Sequence, residues 1–188
     1  MKQVVSPSFF VMVSSPLGDA AVIWKKNDGA VSVIEILLPG RYAVVIEVIQ
    51  CRYPGVQKET HRTVKTLCEK IGDFLTGNAV TFSLDLLDMG QCDGFQRRVL
   101  EMLSRVPRGH VTSYGRLAAR INAPRAARAV GTALARNPFP LVLPCHRVVK
   151  NTGHVGNFGG GVEMKQALLQ REGIETCPCD KINATYFW

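Results

Sequence analysis

No run of eighteen apolar residues occurs in this sequence, so no helix is expected to span a membrane. The opening "MKQVVSPSFFVMVSSPLG" holds one lysine and a short apolar patch broken by Ser and Pro. It lacks the charged start and long apolar middle of a secretory leader and is expected to be a leading strand. The protein is therefore expected inside the cell, in the nucleus of a eukaryote and otherwise in the cytoplasm. No C-x-x-C pair exists among the six cysteines (51, 68, 92, 145, 177, 179), and "CPC" at Cys177 to Cys179 is not by itself a zinc pattern. Reduced thiols are expected, with no structural metal and no cofactor.

What the second half lacks is acid. Residues 1–90 hold nine Lys/Arg against nine Asp/Glu, and residues 91–188 hold fourteen against six, so the whole net charge of +8 lies there. Between Arg97 and Arg136 stand nine arginines, no lysine, and Glu101 as the single acid. A solvated surface normally mixes both signs. An almost acid-free arginine stretch suits a polyanion better, because guanidinium forks pair with phosphate and stack on bases.

At 188 residues and 46% hydrophobic, the chain can bury a substantial core. The first half reads as strands: "FFVMV", "AAVIW" (Ala20 to Trp24), "VSVIEILL" (Val31 to Leu38) and "YAVVIEVI" (Tyr42 to Ile49), with turn signals between them. A helix is predicted from Glu59 to Leu75, because Val64, Leu67, Cys68, Ile71 and Phe74–Leu75 recur at helical spacing. "LDLLDMGQCDG" is expected to cross between an N-terminal domain, 1–90, and a C-terminal one, 91–188.

From Phe95 the period changes. Phe95, Val99, Met102, Leu103 and Val106 make one apolar face. "TSYGRLAARI" follows, with Thr112 or Ser113 as N-cap candidate, and "RAARAVGTALARNP" forms a second, small-residued helix. Two short helices across a tight break, the second bearing arginine, make a helix-turn-helix pattern. "NTGHVGNFGGG" is a flexible glycine loop, and "VEMKQALLQREG" is a last helix with Gly173 just past its end.

Within this frame, "LVLPCHRVVK" sets Cys145 beside His146 and Arg147. A thiolate is a strong nucleophile, and a neighbouring imidazole or guanidinium raises its population. His146 can act as base, directly or through one water. Neighbours on a strand point to opposite faces, but Pro140 and Pro144 suggest an irregular backbone on which both could face one pocket. Glu172 is a candidate to orient the imidazole. Three classes fit these residues: a group-transfer enzyme acting on DNA, a DNA-binding regulator or lesion sensor, and a Cys-His hydrolase.

"PCHRV" (Pro144 to Val148), with "RAVG" (Arg128 to Gly131) and "RNPFP" (Arg136 to Pro140) before it and "GNFGGG" and "LLQREG" after it, resembles the O6-alkylguanine-DNA alkyltransferase family. "VTSYGRLA" matches it too. The strong resemblance covers about Phe95 to Gly173, and the first ninety residues fit the family's N-terminal domain in outline. It implies an α+β fold of two domains: a small ribonuclease H-like sheet with a helix, then a helical winged helix-turn-helix domain.

The resemblance also implies the chemistry. The partner is double-stranded DNA carrying O6-alkylguanine, met by a monomer. The damaged base is flipped out and its alkyl group, or the O4-alkyl group of thymine, passes irreversibly to Cys145. His146 relays a proton through water toward Glu172, and Asn137 braces the turn. Tyr114 crowds the target's 3′ phosphate and helps protonate the leaving base, while Arg128 fills the gap in the stack. Gln96, Gly115, Ala123 and Asn151 approach the phosphates. Val148, Val155, Gly156, Phe158, Gly159 and Gly160 line the pocket. Three positions depart from the pattern: Thr132 replaces a second glycine, Phe158 a tyrosine, and Gly159 a frequent serine. They bear on the range and rate of alkyl groups accepted, and leave the reaction itself in place.

Overall fold

The computed structural model describes residues 8–27, 29–39, 44–177 and 179–188. Three strands, β1 (Ser8–Val13), β2 (Ala20–Asn27) and β3 (Ala30–Leu37), form an antiparallel meander. After helix α1 (Val45–Arg52), the short β4 (Gln57–Lys58) joins β1 in parallel, giving the order β3-β2-β1-β4. Every residue from Ala20 to Trp24 is buried, because both sheet faces are covered. Val22 and Trp24 face the main core shared with helix α2 (Arg62–Thr76), whereas Ala21 and Ile23 face Val45 and Ile49 of α1.

That second cover corrects the reading of 42–49 as a strand. Tyr42 and Ala43 lie outside the described residues, and Val45 onward is helical. Its β-branched residues suggested a strand, but Val45 and Ile49, four apart, supply the buried stripe a helix needs on that open sheet face. Helix α2 follows its predicted periodicity closely: Val64, Leu67, Cys68, Ile71, Phe74 and Leu75 are its buried residues. His61 caps its start, and Gly77, at φ 107°, closes it in the left-handed conformation that glycine adopts without strain.

The segment leading out of the sheet does not swing free. Leu86 and Asp88 bond with the backbone of Val33, and Asp88 pairs with Lys25 at 2.7 Å. Three helices then pack together: α3 (Gly94–Leu103), α4 (Tyr114–Arg120) and α5 (Ala127–Ala135). Asp93 caps α3, and Ser113, not Thr112, caps α4 by accepting from the Arg116 amide. Two residues before α4 form β5 (Thr112–Ser113), parallel to β6 (Val148–Val149), and α6 (Val162–Arg171) ends the helical part. One core cluster runs from Phe9 and Trp24 through Phe74 to Val99, Leu117, Phe139 and Leu168, joining the sheet to the helices without a break.

One other expectation is corrected. Cys177 and Cys179 are joined as a disulfide, while Cys51, Cys68, Cys92 and Cys145 are free thiols. Within the acid-poor stretch, Arg108 is used internally. Arg108 donates to the Gly77 and Arg171 carbonyls, and Arg171 in turn donates to that of Leu75. Both satisfy the C-terminal end of α2, where unpaired carbonyls favour a cation.

Candidate active site

Cys145 opens a 3-10 turn, Cys145–Arg147, rather than sitting in a strand. The turn is built from an irregular segment. Asn137 donates one bond to the Leu143 carbonyl (2.9 Å) and one to Cys145 Sγ (3.3 Å), and its own Oδ1 accepts from the Phe139 amide. Leu141, buried, stands at φ 72°, a conformation that L residues adopt only when their surroundings impose it. The sheet helps to impose it: the Ile36 amide of β3 bonds the Pro138 carbonyl at 2.8 Å.

The turn sends its first two side chains opposite ways. Cys145 faces a cavity of about 480 Å³ whose wall includes Tyr114, Gly131, Asn137, Asn157, Phe158 and Gly159. His146 is fully buried behind it, with its ring between Phe74 (5.7 Å) and Phe158 (6.4 Å). His146 Nε2 lies 2.9 Å from Glu172 Oε1, whereas its buried Nδ1 has no hydrogen-bond partner among the described residues. No hydrogen bond joins the imidazole directly to the thiol among those residues. Glu172 is also gripped by Arg147, with Nε 2.9 Å from Oε2 and Nη2 2.9 Å from Oε1, a bidentate pair anchored further by the Val106 carbonyl.

The charge states follow from this burial. Burial raises the Cys145 pKa, opposed by the Asn137 hydrogen bond and by Lys165, so the resting group is the thiol. Burial lowers that of His146 against the pull of Glu172, leaving a neutral imidazole. Burial alone would raise Glu172, but the His146 bond and the Arg147 pair hold it down at about 2. Burial raises Tyr114, and Cys145 adds to the shift.

Two residues of this neighbourhood escape sequence reasoning. Arg147 is the neighbour in the quoted motif whose role as the clamp on Glu172 needs the fold to appear. Lys165 is fully buried, donating to the carbonyls of Val148 (2.6 Å) and Asn157 (3.4 Å), and burial lowers its pKa to about 8. A lysine between Met164 and Leu168 on the apolar face of α6 was the available signal.

The remaining candidates are dispersed. Val148 is buried in the main core and Val155 in a separate cluster with Val149 and Ile182. Gly156 turns at φ 75°, and a Cβ on Gly160 would collide with Met164 Sδ. Arg128 is exposed in the first turn of α5, and Ala123 lies in the turn before it. Gly115 packs against Asn151, whose Nδ2 stands 2.9 Å from where a Cβ would be. Gln96 is committed internally: its side chain donates to the carbonyls of Ala133 and Arg136, and its amide to Asp93.

Residues 94–174 match the family model described as "6-O-methylguanine DNA methyltransferase, DNA binding domain". A methylated-DNA–protein-cysteine methyltransferase from Methanothermobacter thermautotrophicus is 38% identical over 164 residues, 85% of this chain and 82% of that protein. Among solved structures, that of Mycobacterium tuberculosis OGT in complex with DNA superposes at a TM-score of 0.70 with 27% identity. It covers 87% of this chain and 92% of that one. The O6-methylguanine-DNA methyltransferase of Pyrococcus kodakaraensis superposes at 0.63 with 27% identity, over 89% and 99%. On this evidence the chain belongs to the methylated-DNA–protein-cysteine methyltransferase family.

Proposed function

We propose that this protein repairs DNA by moving the O6-alkyl group of guanine onto Cys145. The observation that carries the reading is the split turn: a thiol on a cavity of about 480 Å³, room enough for a base, backed by an imidazole–carboxylate–guanidinium chain. The substrate is double-stranded DNA. The lesion leaves the stack, at a cost of a few kcal/mol, and enters the cavity beside Tyr114 and Phe158. Arg128 fills the space it vacates, and Gly115, Ala123, Asn151 and the start of α3 at Gln96 approach the phosphates. In the finer architecture, residues 1–90 are a ribonuclease H-like unit and 91–188 a winged helix-turn-helix unit, of which α4 and α5 are the paired helices.

The step balances as follows. Cys145 Sγ forms a bond to the alkyl carbon as the carbon–O6 bond breaks, and the bonding pair leaves on the guanine. The thiol proton passes through one water to His146 Nδ1, while Glu172, held ionised by Arg147, steadies the imidazolium that forms. Tyr114 supplies a proton to the departing base. Asn137 keeps Sγ aimed into the cavity, and Val148, Val155, Gly156, Phe158, Gly159 and Gly160 shape the wall and its backing. The same attack serves O4-alkylthymine. The product is a thioether, which water does not cleave, so each molecule acts once. We place this activity inside the cell, in a monomer.

The test is to incubate the protein with an O6-methylguanine duplex and examine its peptides by mass spectrometry. One methyl on the Cys145 peptide is expected. Binding without methylation would make the protein a lesion sensor, and turnover without DNA would make it a hydrolase.

A further inference from the structure

The chain after α6 carries an arrangement that this reading does not use. Phe187 forms an isolated parallel bridge with Val111, the residue before β5: the Val111 amide bonds the Tyr186 carbonyl (2.9 Å), and the Trp188 amide bonds the Val111 carbonyl (2.8 Å). Tyr186 and Phe187 seat on the buried cluster of Val111, Val149 and Ile182. Beside this bridge two rings each meet a guanidinium from α4. Arg120 Cζ sits 3.6 Å from the Trp188 ring centre and Arg116 Cζ 4.7 Å from that of Phe187, and Arg116 Nη1 reaches the Trp188 carbonyl at 3.4 Å.

Arg116 and Arg120 are exposed, and they stand four residues apart on one helix, where like charges repel. Among the described residues neither forms an ion pair with an Asp or Glu side chain, and the same holds for Arg125 and Arg128 further along. The four arginines follow the chain from α4 through its turn into the first turn of α5. Ring stacking occupies the faces of the first two guanidiniums and leaves N–H donors at their edges, the part that meets phosphate oxygens. It also fixes two long side chains before any ligand arrives, which lowers the entropy lost on binding.

We infer that Arg116 and Arg120, held by Phe187 and Trp188, form a second phosphate clamp that grips the duplex backbone away from the flipped base. The inference rests on the DNA-repair reading. Charge complementarity selects the partner: a ridge of arginines with no Asp or Glu side-chain partner among the described residues suits a phosphodiester chain. An acidic segment of another protein is the alternative that the experiment separates.

Binding of an undamaged duplex is measured by fluorescence anisotropy at several salt concentrations for the intact protein, Arg116→Gln, Arg120→Gln and the double variant. Each single variant is expected to lower the slope of log affinity against log salt by about 0.9, and the double variant by about 1.8. Trp188→Ala and Phe187→Ala keep both charges but lose the stacking. Their affinity is expected to fall about two- to five-fold with the slope unchanged, and Trp188→Tyr to recover most of it. Thermal unfolding identifies any aromatic variant that fails to fold, and the exposed arginine variants keep the test decisive in that case. If the intact protein methylates Cys145 from duplex DNA while the double variant keeps the full slope, the clamp is overturned and the repair reading stands. The pair would then be free for an acidic protein. If the intact protein binds no duplex, both are overturned.

Discussion

The two sides of the Cys145–Arg147 turn are chemically opposite. On one side a neutral thiol meets an open cavity with a single side-chain hydrogen bond, from Asn137. On the other, the buried His146 and Glu172 and the largely covered Arg147 are bound to one another by four contacts of 3.2 Å or less. On the repair reading, this is how a fold can hold a nucleophile that acts once: Cys145 is left loosely partnered, and the contacts are concentrated on the His146 imidazole behind it. A thiolate stabilised at rest would react with any electrophile, whereas a buried thiol gains its charge only when a proton path and a bound substrate coincide.

The strongest way to break this contrast is to remove the open side. Cys145→Ser or Cys145→Ala is expected to abolish methyl transfer while duplex affinity stays within about two-fold, because phosphate contacts supply most of the binding. Labelled methyl on another cysteine of either variant would show that the cavity side is not unique. Removing the sealed side acts next. His146→Ala is expected to slow single-turnover transfer by about 10²-fold or more, the usual contribution of a positioned base. Because burial raises the Cys145 pKa, the intact rate rises with pH, and without the imidazole its midpoint should move higher still. An unchanged pH profile would reduce His146 to a packing role.

Arg128 tests whether the cavity side depends on DNA geometry. Arg128→Ala is expected to slow repair of duplex substrate by roughly ten-fold or more while leaving reaction with free O6-benzylguanine unchanged, since a free base needs no flipping. Arg128→Lys should recover little, because lysine has no planar group to stack in the gap. Equal losses on both substrates would mean that Arg128 supports the fold.

Both sides were partly legible in the sequence. Cys145, Asn137, Tyr114 and Phe158 stand in four separate short motifs that the structure gathers on one cavity, and His146 and Glu172, read as base and orienting acid, meet at 2.9 Å. The sealed side depends on burial, which residue type conceals: Arg147 and Lys165 carry the charges of surface residues, and only three-dimensional packing makes one a clamp and the other a buried donor. The same limit explains the fold. The helix α2 announced itself through a long 3.6-residue period, whereas 45–52, short and β-branched, became helical because an open sheet face had to be covered. The stacking of Phe187 and Trp188 on α4 joins residues about seventy apart, and no local pattern foretells it.

The smallest expected effect is on stability, and it measures how tightly the sealed side is closed. Glu172 is 7% exposed, and its carboxyl is held at about 2 against an ordinary 4.5. A depressed folded-state pKa means that the ionised carboxylate stabilises the native state. That contribution is complete above pH 4.5 and disappears as the pH falls toward 2. The shift corresponds to roughly 3 kcal/mol, comparable to the cost of leaving the Arg147 guanidinium without its buried partner. Glu172→Gln keeps the shape and cannot titrate, so every other acid cancels in a comparison of the two proteins. Urea unfolding at pH 7, 5, 4 and 3 should show the intact protein ahead by about 3 kcal/mol at the first two values, with the lead narrowing at pH 4 and further at pH 3. A lead as large at pH 3 as at pH 7 would mean that Glu172 is stabilised by packing alone. Arg147 and His146 would then not be what holds its charge.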